Sequence, residues 1–330
     1  MDYKDRLIEF MNDYPTGGID VNFGREQSSI TINFDNFLRE TSKVMEQLWF
    51  NWRQTCDKDK ESLSTSELNG QCMFQMMICK IESLLKLHEG IDLNINNKEI
   101  HLQDPHTMLI LLRSIYEMTV TYYYLYIKPR NETEREIVYR LWDNRGMCNR
   151  QAIRNVPEEH KSQVEEEKKN IACNSKRIIQ LGKKLGIQGE NFKTFCNIAK
   201  NEKAKVCCFS FEGQQEDGTL KLNAIAMGDE EPCREIFGNA DISTLYRYLS
   251  LYVHPTSLGV LQFGQMYNTE SYLGDEMFSF ETAYFLACKF TSYFCKSMPN
   301  GMECFHALDV KRQNLIKFGL LTYPCNKDIK

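Results

Sequence analysis

One long stretch, residues 105–127, limits the possible folds of this chain more than any other feature. It is apolar on nearly all sides of a helix, and Pro105 occupies a first-turn position, where proline is tolerated. A helix without a polar face must be enclosed by other helices. Two charges, Arg113 and Glu117, interrupt the stretch and argue against a membrane span, because charges in lipid are costly. The stretch therefore predicts the central helix of a multi-helix bundle.

Most of the remaining chain also has the apolar spacing of amphipathic helices. The other predicted helices cover residues 37–55, 65–88, 132–154, 157–185, 243–254, 276–296 and 303–319. A short strand is expected over 29–34 and a hairpin within 205–238, whereas 92–104 is expected to be a polar loop. The predicted fold is all-α: a multi-helix bundle with a charged helical arm at 157–185 and a small β-hairpin insertion.

The start of one helix supplies the first boundary in the domain organisation. Ser64 or Thr65 can cap the helix that follows, with Glu67 in its first turn. The chain is therefore expected to have three parts, which are an N-terminal helical segment (1–64), a bundle core that includes the arm and the hairpin region (65–300), and a C-terminal helix with a tail (301–330).

Composition limits the partners and the compartment. The net charge is −5, so a site for RNA must be a local basic patch. Residues 1–10 lack the apolar core of a secretion signal, and we expect a cytoplasmic protein that does not enter membranes. The 13 cysteines have no zinc-ligand spacing and no cofactor motif occurs, so neither a metal nor a cofactor is expected. The charged arm, 157–185, is a candidate for binding a protein partner.

The most specific chemical pattern lies around a histidine that precedes a proline. Arg247 and His254 are seven residues apart, so they share one side of the predicted helix, with Ser250 nearby. His254 would end that helix, where the helix dipole favours the protonated imidazole. A cation beside an imidazole can stabilise a pentavalent phosphate and transfer a proton. Arg247 and His254 are therefore the candidate catalytic residues.

This spacing resembles the Arg-x4–6-His signature of the HEPN superfamily, whose helical bundles include metal-independent ribonucleases. The resemblance implies a homodimer, with Arg247 holding the scissile phosphate, His254 assisting attack by a ribose 2′-hydroxyl, and a toxin or antiphage role. Tyr248 departs from the signature, in which a polar residue usually follows the arginine. A second match, Arg154 and His160, is interrupted by a proline, and its six-residue offset rotates the histidine by about 120°.

A wider set of residues resembles a family of helical bacterial proteins that contain a domain of unknown function. An R-x-x-x-E helix and a Y-x-x-x-S-x-x-x-H helix recur in that family, and the similarity spans residues 68–296. The matching residues are Arg113, Glu117, Tyr246, Ser250 and His254. The resemblance implies that Arg113, Glu117 and Ser250 support the same site as His254.

Further polar residues extend this candidate site. His106 falls on about the same helix face as Arg113. Glu281 is surrounded by aromatic residues, and Arg113 or Arg247 is its expected partner. A basic groove for the RNA backbone would come from the arginines of the predicted helix 132–154, of which Arg140, Arg145 and Arg150 are the main candidates and Arg135 and Arg154 the others.

Two other functions fit the same residues. In the first, the protein is a non-enzymatic interaction protein, Arg113 and Glu117 form a structural ion pair, and His254 bonds to a carboxylate. In the second, it is a small-molecule sensor with a pocket formed by Arg113, Glu117 and His254. The sequence leaves these alternatives open beside RNA cleavage or binding.

Overall fold

The computed structural model describes a mostly helical chain, as predicted. The described residues are 19–23, 28–32, 34–59, 63–153, 155–200, 208–214, 218–238, 244–269 and 272–322. Their α-helices are α1 (Phe34–Asp59), α2 (Thr65–His88), α3 (Pro105–Tyr122), α4 (Glu132–Gln151), α5 (Lys161–Lys184), α6 (Gly189–Lys200), α7 (Glu230–Phe237), α8 (Leu245–Ser250), α9 (Ser257–Thr269), α10 (Tyr272–Ser297), α11 (Gly301–His306) and α12 (Val310–Thr322).

The strands of the described chain form three antiparallel hairpins. They are β1 (Ile19–Phe23) with β2 (Ser28–Ile32), β3 (Ile91–Ile95) with β4 (Lys98–Leu102), and β5 (Cys208–Glu212) with β6 (Lys221–Ile225). The expected strand over 29–34 corresponds to β2, and the expected hairpin within 205–238 corresponds to β5 and β6. None of the described helices is long and apolar enough to cross a membrane.

Local signals set the ends of several helices. Ser64 caps α2 in a capping box, in which its hydroxyl accepts from the Glu67 N–H and the Glu67 carboxylate accepts from the Ser64 N–H. This cap was predicted. The Asn131 side chain caps α4 by accepting from the N–H of Glu134. The helix predicted over 132–154 ends at Gln151, and Arg154 lies outside the described residues.

The first of two compact units comprises residues 1–119 and 233–330, and α10 is its most deeply buried helix. The Trp52 indole N–H donates to the Pro299 carbonyl at 2.7 Å. The Phe74 and Phe294 rings stack at 4.1 Å. Tyr284 donates through its hydroxyl to the Leu315 carbonyl at 2.7 Å. The Trp52 ring also meets the Phe294 ring edge-on at 5.3 Å, so these contacts join α1, α2 and α12 to α10 around one aromatic core.

The second unit comprises residues 120–232, and its core lies between α4, α5, α6 and the β5–β6 hairpin. The charged helix predicted over 157–185 corresponds to α5, in which Ile171, Ile178 and Leu181 are buried. These apolar residues recur at helical spacing, so α5 packs one side against the unit and exposes its charges on the other. After α3, a π-helical turn (Tyr123–Ile127) leads into this unit.

The sequence interpretation missed β3 and β4, because residues 92–104 had been assigned to a polar loop. Asn96 and Asn97 have φ angles of 53° and 60°, which form the two-residue turn between the strands. Asparagine tolerates this left-handed conformation better than most residues. Helices α7 and α9 were also not predicted.

Candidate functional site

Arg113 and Glu117 form an ion pair within α3, with Nε of the arginine 2.9 Å from the carboxylate oxygen. The Arg113 Nη2 donates to the Tyr246 hydroxyl at 2.6 Å, and the guanidinium carbon lies 4.6 Å from the centre of the Tyr246 ring. The side chains of Arg113 and Glu117 are 20% and 37% exposed, so the pair lies at the border of the core. Helix α3 thereby holds Tyr246, the residue before Arg247.

The segment after Tyr246 differs from the prediction of one helix through His254. Helix α8 ends at Ser250, and residues 251–255 form turns. Each N–H of residues 251–253 bonds to the carbonyl three residues earlier, at 3.1 to 3.4 Å, which is a tighter winding than an α-helix. The predicted position of His254 at a helix C-terminus is therefore wrong, and the helix-dipole argument does not apply to it. Helical geometry is disfavoured at His254, the residue before Pro255, but α8 ends four residues earlier, at Ser250.

The hydroxyl groups of this segment are held in place. Ser250 Oγ donates to the Tyr246 carbonyl at 2.5 Å. The Tyr248 hydroxyl donates to Asp275 at 2.9 Å. Burial, together with Tyr252 and Asp275, raises the pKa of Tyr248, so this hydroxyl stays protonated and keeps donating. Tyr248, which departs from the HEPN signature, is thus a structural contact to α10.

Arg247 and His254 have the opposite environment. Both side chains are exposed, and neither makes a hydrogen bond or an ion pair with any other described residue. The carboxylate partner of His254 that a structural role requires is therefore not found in the described chain. These two side chains are the ones that the segment leaves available to a ligand.

His106 lies in an aromatic cluster behind the same segment. Its ring centre is 4.7 Å from that of Tyr252 and 5.2 Å from that of Phe263, and its Nε2 is enclosed without a hydrogen-bond partner among the described residues. Burial lowers the pKa of His106, against the charges of Asp104 and Asp275, and favours the neutral imidazole. The sequence interpretation named His106 but missed the aromatic residues around it.

Glu281 does not pair with the arginines that were expected to neutralise it. Arg113 bonds to Glu117 and Tyr246, and Arg247 is exposed and unpaired among the described residues. Burial raises the pKa of the Glu281 carboxyl. The expectation that Arg113 or Arg247 pairs with Glu281 is therefore wrong.

The arginines of α4 do not form one open basic face. Arg145 is only 4% exposed, and its Nη2 donates to the Ile198 carbonyl at 2.9 Å, so its assignment to an RNA-binding groove is wrong. The other arginines pair with nearby acceptors: Arg135 with Glu132, Arg140 with Glu136 and Asn174, and Arg150 with Glu167. Carboxylates on α4 and α5 thus neutralise the expected patch.

A groove of about 660 Å³ lies between α2, the base of β3 and α3. Leu87, Ile91, Ile110 and Leu111 supply apolar walls, and Lys86 adds a cation. The sequence interpretation missed this groove because it placed no structure at residues 92–104. Within the described residues, no cluster of three His, Cys, Asp or Glu side chains can hold a metal ion.

Comparison with known proteins now gives the family. The sequence profile of the Family of unknown function (DUF5677) matches residues 85–270, which is more than half of the 330-residue chain. The chain belongs to this family. The predicted resemblance to a family of unknown function is confirmed, and Arg113, Glu117, Arg247 and His254 all lie in the DUF5677 match. No curated protein and no solved structure matches the chain, and the HEPN resemblance stays a prediction.

Proposed function

We propose that this DUF5677 protein binds and cleaves RNA at Arg247 and His254. The observation that carries the proposal is a contrast within one short segment. Tyr246, Tyr248 and Ser250 are fixed by hydrogen bonds, whereas Arg247 and His254 are exposed without a described partner. A fixed backbone that presents a cation and an imidazole is suited to a phosphodiester substrate.

The chemistry follows from these two groups. The His254 imidazole accepts the proton of a ribose 2′-hydroxyl, and the 2′-oxygen bonds to the adjacent phosphorus. The bond from phosphorus to the 5′-oxygen breaks, and this oxygen takes a proton from water or from the imidazole of a second copy. Arg247 stabilises the negative charge that collects on the phosphate oxygens. The products are a 2′,3′-cyclic phosphate and a free 5′-hydroxyl.

The contacts of Arg113 support a positioning role. Its guanidinium group bonds to Tyr246, one residue from Arg247, and Glu117 orients the guanidinium group from within α3. One turn further along α8, the Ser250 hydroxyl donates to the Tyr246 carbonyl. Arg113, Glu117 and Ser250 therefore act on the backbone that carries Arg247. Because α4 offers no open basic face, the proposal assigns few phosphate contacts and a shallow salt dependence.

The test is cleavage of a labelled single-stranded RNA by the purified full-length chain. We expect products ending in a 2′,3′-cyclic phosphate, and a loss of rate of about 100-fold or more in His254→Ala and Arg247→Ala. His160→Ala is the matched control, since His160 is an exposed histidine of the second, interrupted motif. It should cleave like the wild type.

Two results would contradict the proposal. One is unchanged cleavage in both variants, and the other is intact RNA in the purified assay and also in cells challenged with phage. The cytoplasmic location, the homodimer and the role in phage defence implied by HEPN proteins belong to this same proposal. Circular dichroism and thermal unfolding must first show that each variant is folded.

A second candidate function is non-enzymatic binding of a protein. Helix α9 follows His254 directly, and Leu258, Val260 and Leu261 on it are each at least half exposed. Exposed apolar side chains this close together are typical of interaction sites. Under this function, Leu258→Ser with Leu261→Ser abolishes the cellular phenotype, while His254→Ala retains it.

A further inference from the structure

The β3–β4 hairpin has an apolar face that the other described elements leave largely exposed. Its register places Ile91 opposite Leu102 and Leu93 opposite Ile100, so these side chains and Ile95 share one face. Ile91 and Ile95 are 55% and 50% exposed, and Ile100 and Leu102 are 39% and 37% exposed. A two-stranded hairpin alone is only marginally stable in water, so this one is incomplete as a sheet.

The turn determines which backbone groups the hairpin leaves open. In a two-residue turn such as Asn96-Asn97, the flanking residues Ile95 and Lys98 bond to each other. Hydrogen-bonded and non-bonded pairs then alternate along the strands. On β4, the N–H and C=O groups of Glu99 and His101 therefore point away from β3. Asp92 and Asn94 do the same on β3.

The β4 edge is self-complementary in one register. Two antiparallel copies of β4 with the two-fold axis at Ile100 place Glu99 opposite the partner's His101, twice. The Nδ1 of His101 also lies 2.8 Å from the Asp92 carboxylate of its own hairpin, so the partner's Glu99 adds a second acidic neighbour to this imidazole. The outward backbone groups of Glu99 and His101 then form the hydrogen-bonded pairs. Ile100 faces its own copy at the close, non-bonded position. An axis at Glu99 would instead oppose two carboxylates, and on β3 no register pairs opposite charges.

The exposure of the strands also favours β4 over β3 as the edge that a further strand can join. All five of its residues are exposed, whereas Leu93 of β3 is partly covered and Ile91 lines the groove against α2 and α3. No proline or bulge interrupts β4, two devices that natural edge strands use against pairing. Within the described part of the chain, β4 is thus exposed along its whole length.

We infer that a second copy of this chain joins at β4, edge to edge, and forms a four-stranded antiparallel sheet. The two apolar faces then become continuous across Ile100, and the methylenes of Lys98 lie beside the partner's Leu102. This inference does not rest on the proposed RNA chemistry, since Arg247 and His254 take no part in it.

The first test measures the mass of the full-length protein in solution by sedimentation at several concentrations. The wild type forms a dimer. Glu99→Pro removes two intermolecular N–H donors per dimer but none from the hairpin, so the dissociation constant rises roughly thirtyfold. Asn94→Pro is the matched control, because it removes an outward N–H from β3 and leaves the dimer intact. A monomeric wild type, or equal effects of both prolines, overturns the inference.

A second test works even where a proline variant fails to fold. Across the two-fold axis the Cα atoms of residue 100 would lie about 4.5 Å apart, within the range that a disulfide spans. Ile100→Cys should therefore cross-link to itself under mild oxidation, whereas Leu93→Cys, on the same face of β3, should not. Mass spectrometry of the joined peptides separates this bond from those of the 13 native cysteines. A cross-link only at residue 93, or at neither residue, overturns the inference.

Discussion

The candidate site residues of the two compact units differ in whether they have partners. In the second unit, Arg145 bonds to a carbonyl, and Arg140, Asn144 and Asn174 form a hydrogen-bonded network. In the first unit, Arg247 and His254 are exposed and Glu281 is partly buried, and none of the three has a partner among the described residues. Because both units contain arginines on helices, residue type alone does not separate structural charges from functional ones.

The difference has an energetic reason. A charge that leaves water is costly unless hydrogen bonds replace the lost hydration, so buried arginines occur with fixed partners. An exposed arginine needs no such partner and can bind a ligand. Pairing and burial together therefore mark Arg145 as structural and Arg247 as the candidate for function.

The largest effect is expected at Arg145. Arg145→Ala should lower the free energy of unfolding by about 3 kcal/mol, because it leaves the Ile198 carbonyl unpaired and a cavity beside Phe209. Urea denaturation measures this change. Arg135→Ala is the control, since its partner Glu132 is 84% exposed, and it should change stability by under about 0.5 kcal/mol. Equal losses would remove the distinction between structural and surface arginines on α4.

A smaller effect is expected where Arg113 holds Tyr246. A double-mutant cycle of Tyr246→Phe with Arg113→Met should give a coupling energy of about 1 kcal/mol, because a charged hydrogen bond at a partly exposed site is lost. Tyr246→Phe should also slow RNA cleavage about tenfold by loosening the backbone at Arg247. A coupling energy near zero would mean that Arg113 does not position this segment.

The smallest effect, and one of opposite sign, is expected at Glu281. Burial raises its pKa in the folded protein, so the stability linked to its proton is present below the ordinary value of 4.5 and is lost as the pH rises through the folded pKa. Glu281→Gln should therefore stabilise the protein by roughly 0.5 kcal/mol at neutral pH and by nothing in strong acid. Thermal unfolding at both pH values measures this. Destabilisation at neutral pH would show that the carboxylate pairs with a cation.

Much of the helical fold was predictable because its signals are local. The capping box at Ser64 and Glu67 set the start of α2, and the apolar stretch after Pro105 predicted the buried helix α3. The hairpin at Cys208–Glu212 and Lys221–Ile225 also followed from its own residues. Each of these elements is specified within a few turns or one hairpin.

Other elements were missed for different reasons. Ile91, Leu93 and Ile95 alternate with polar residues, and so do Ile100 and Leu102, so the pattern of a hairpin around Asn96-Asn97 was present in a stretch that its polar composition assigned to a loop. Helix α8 ends at Ser250, four residues before His254, so the predicted end of the helix at the residue preceding Pro255 was too late. Buried Arg145 recurs at the same spacing along α4 as Arg135, Arg140 and Arg150, which are less buried.

By itself, the sequence determined that the chain is helical and where most of its helices lie. It also identified Arg113, Glu117, Arg247 and His254 as candidate site residues. Only the tertiary structure decided which of the polar residues are paired. Arg145 meets its acceptor 53 residues away, and Arg113 meets Tyr246 across 133 residues. Helical periodicity reports on neighbours within a few turns, whereas the desolvation of a charge depends on residues that folding brings from distant parts of the chain.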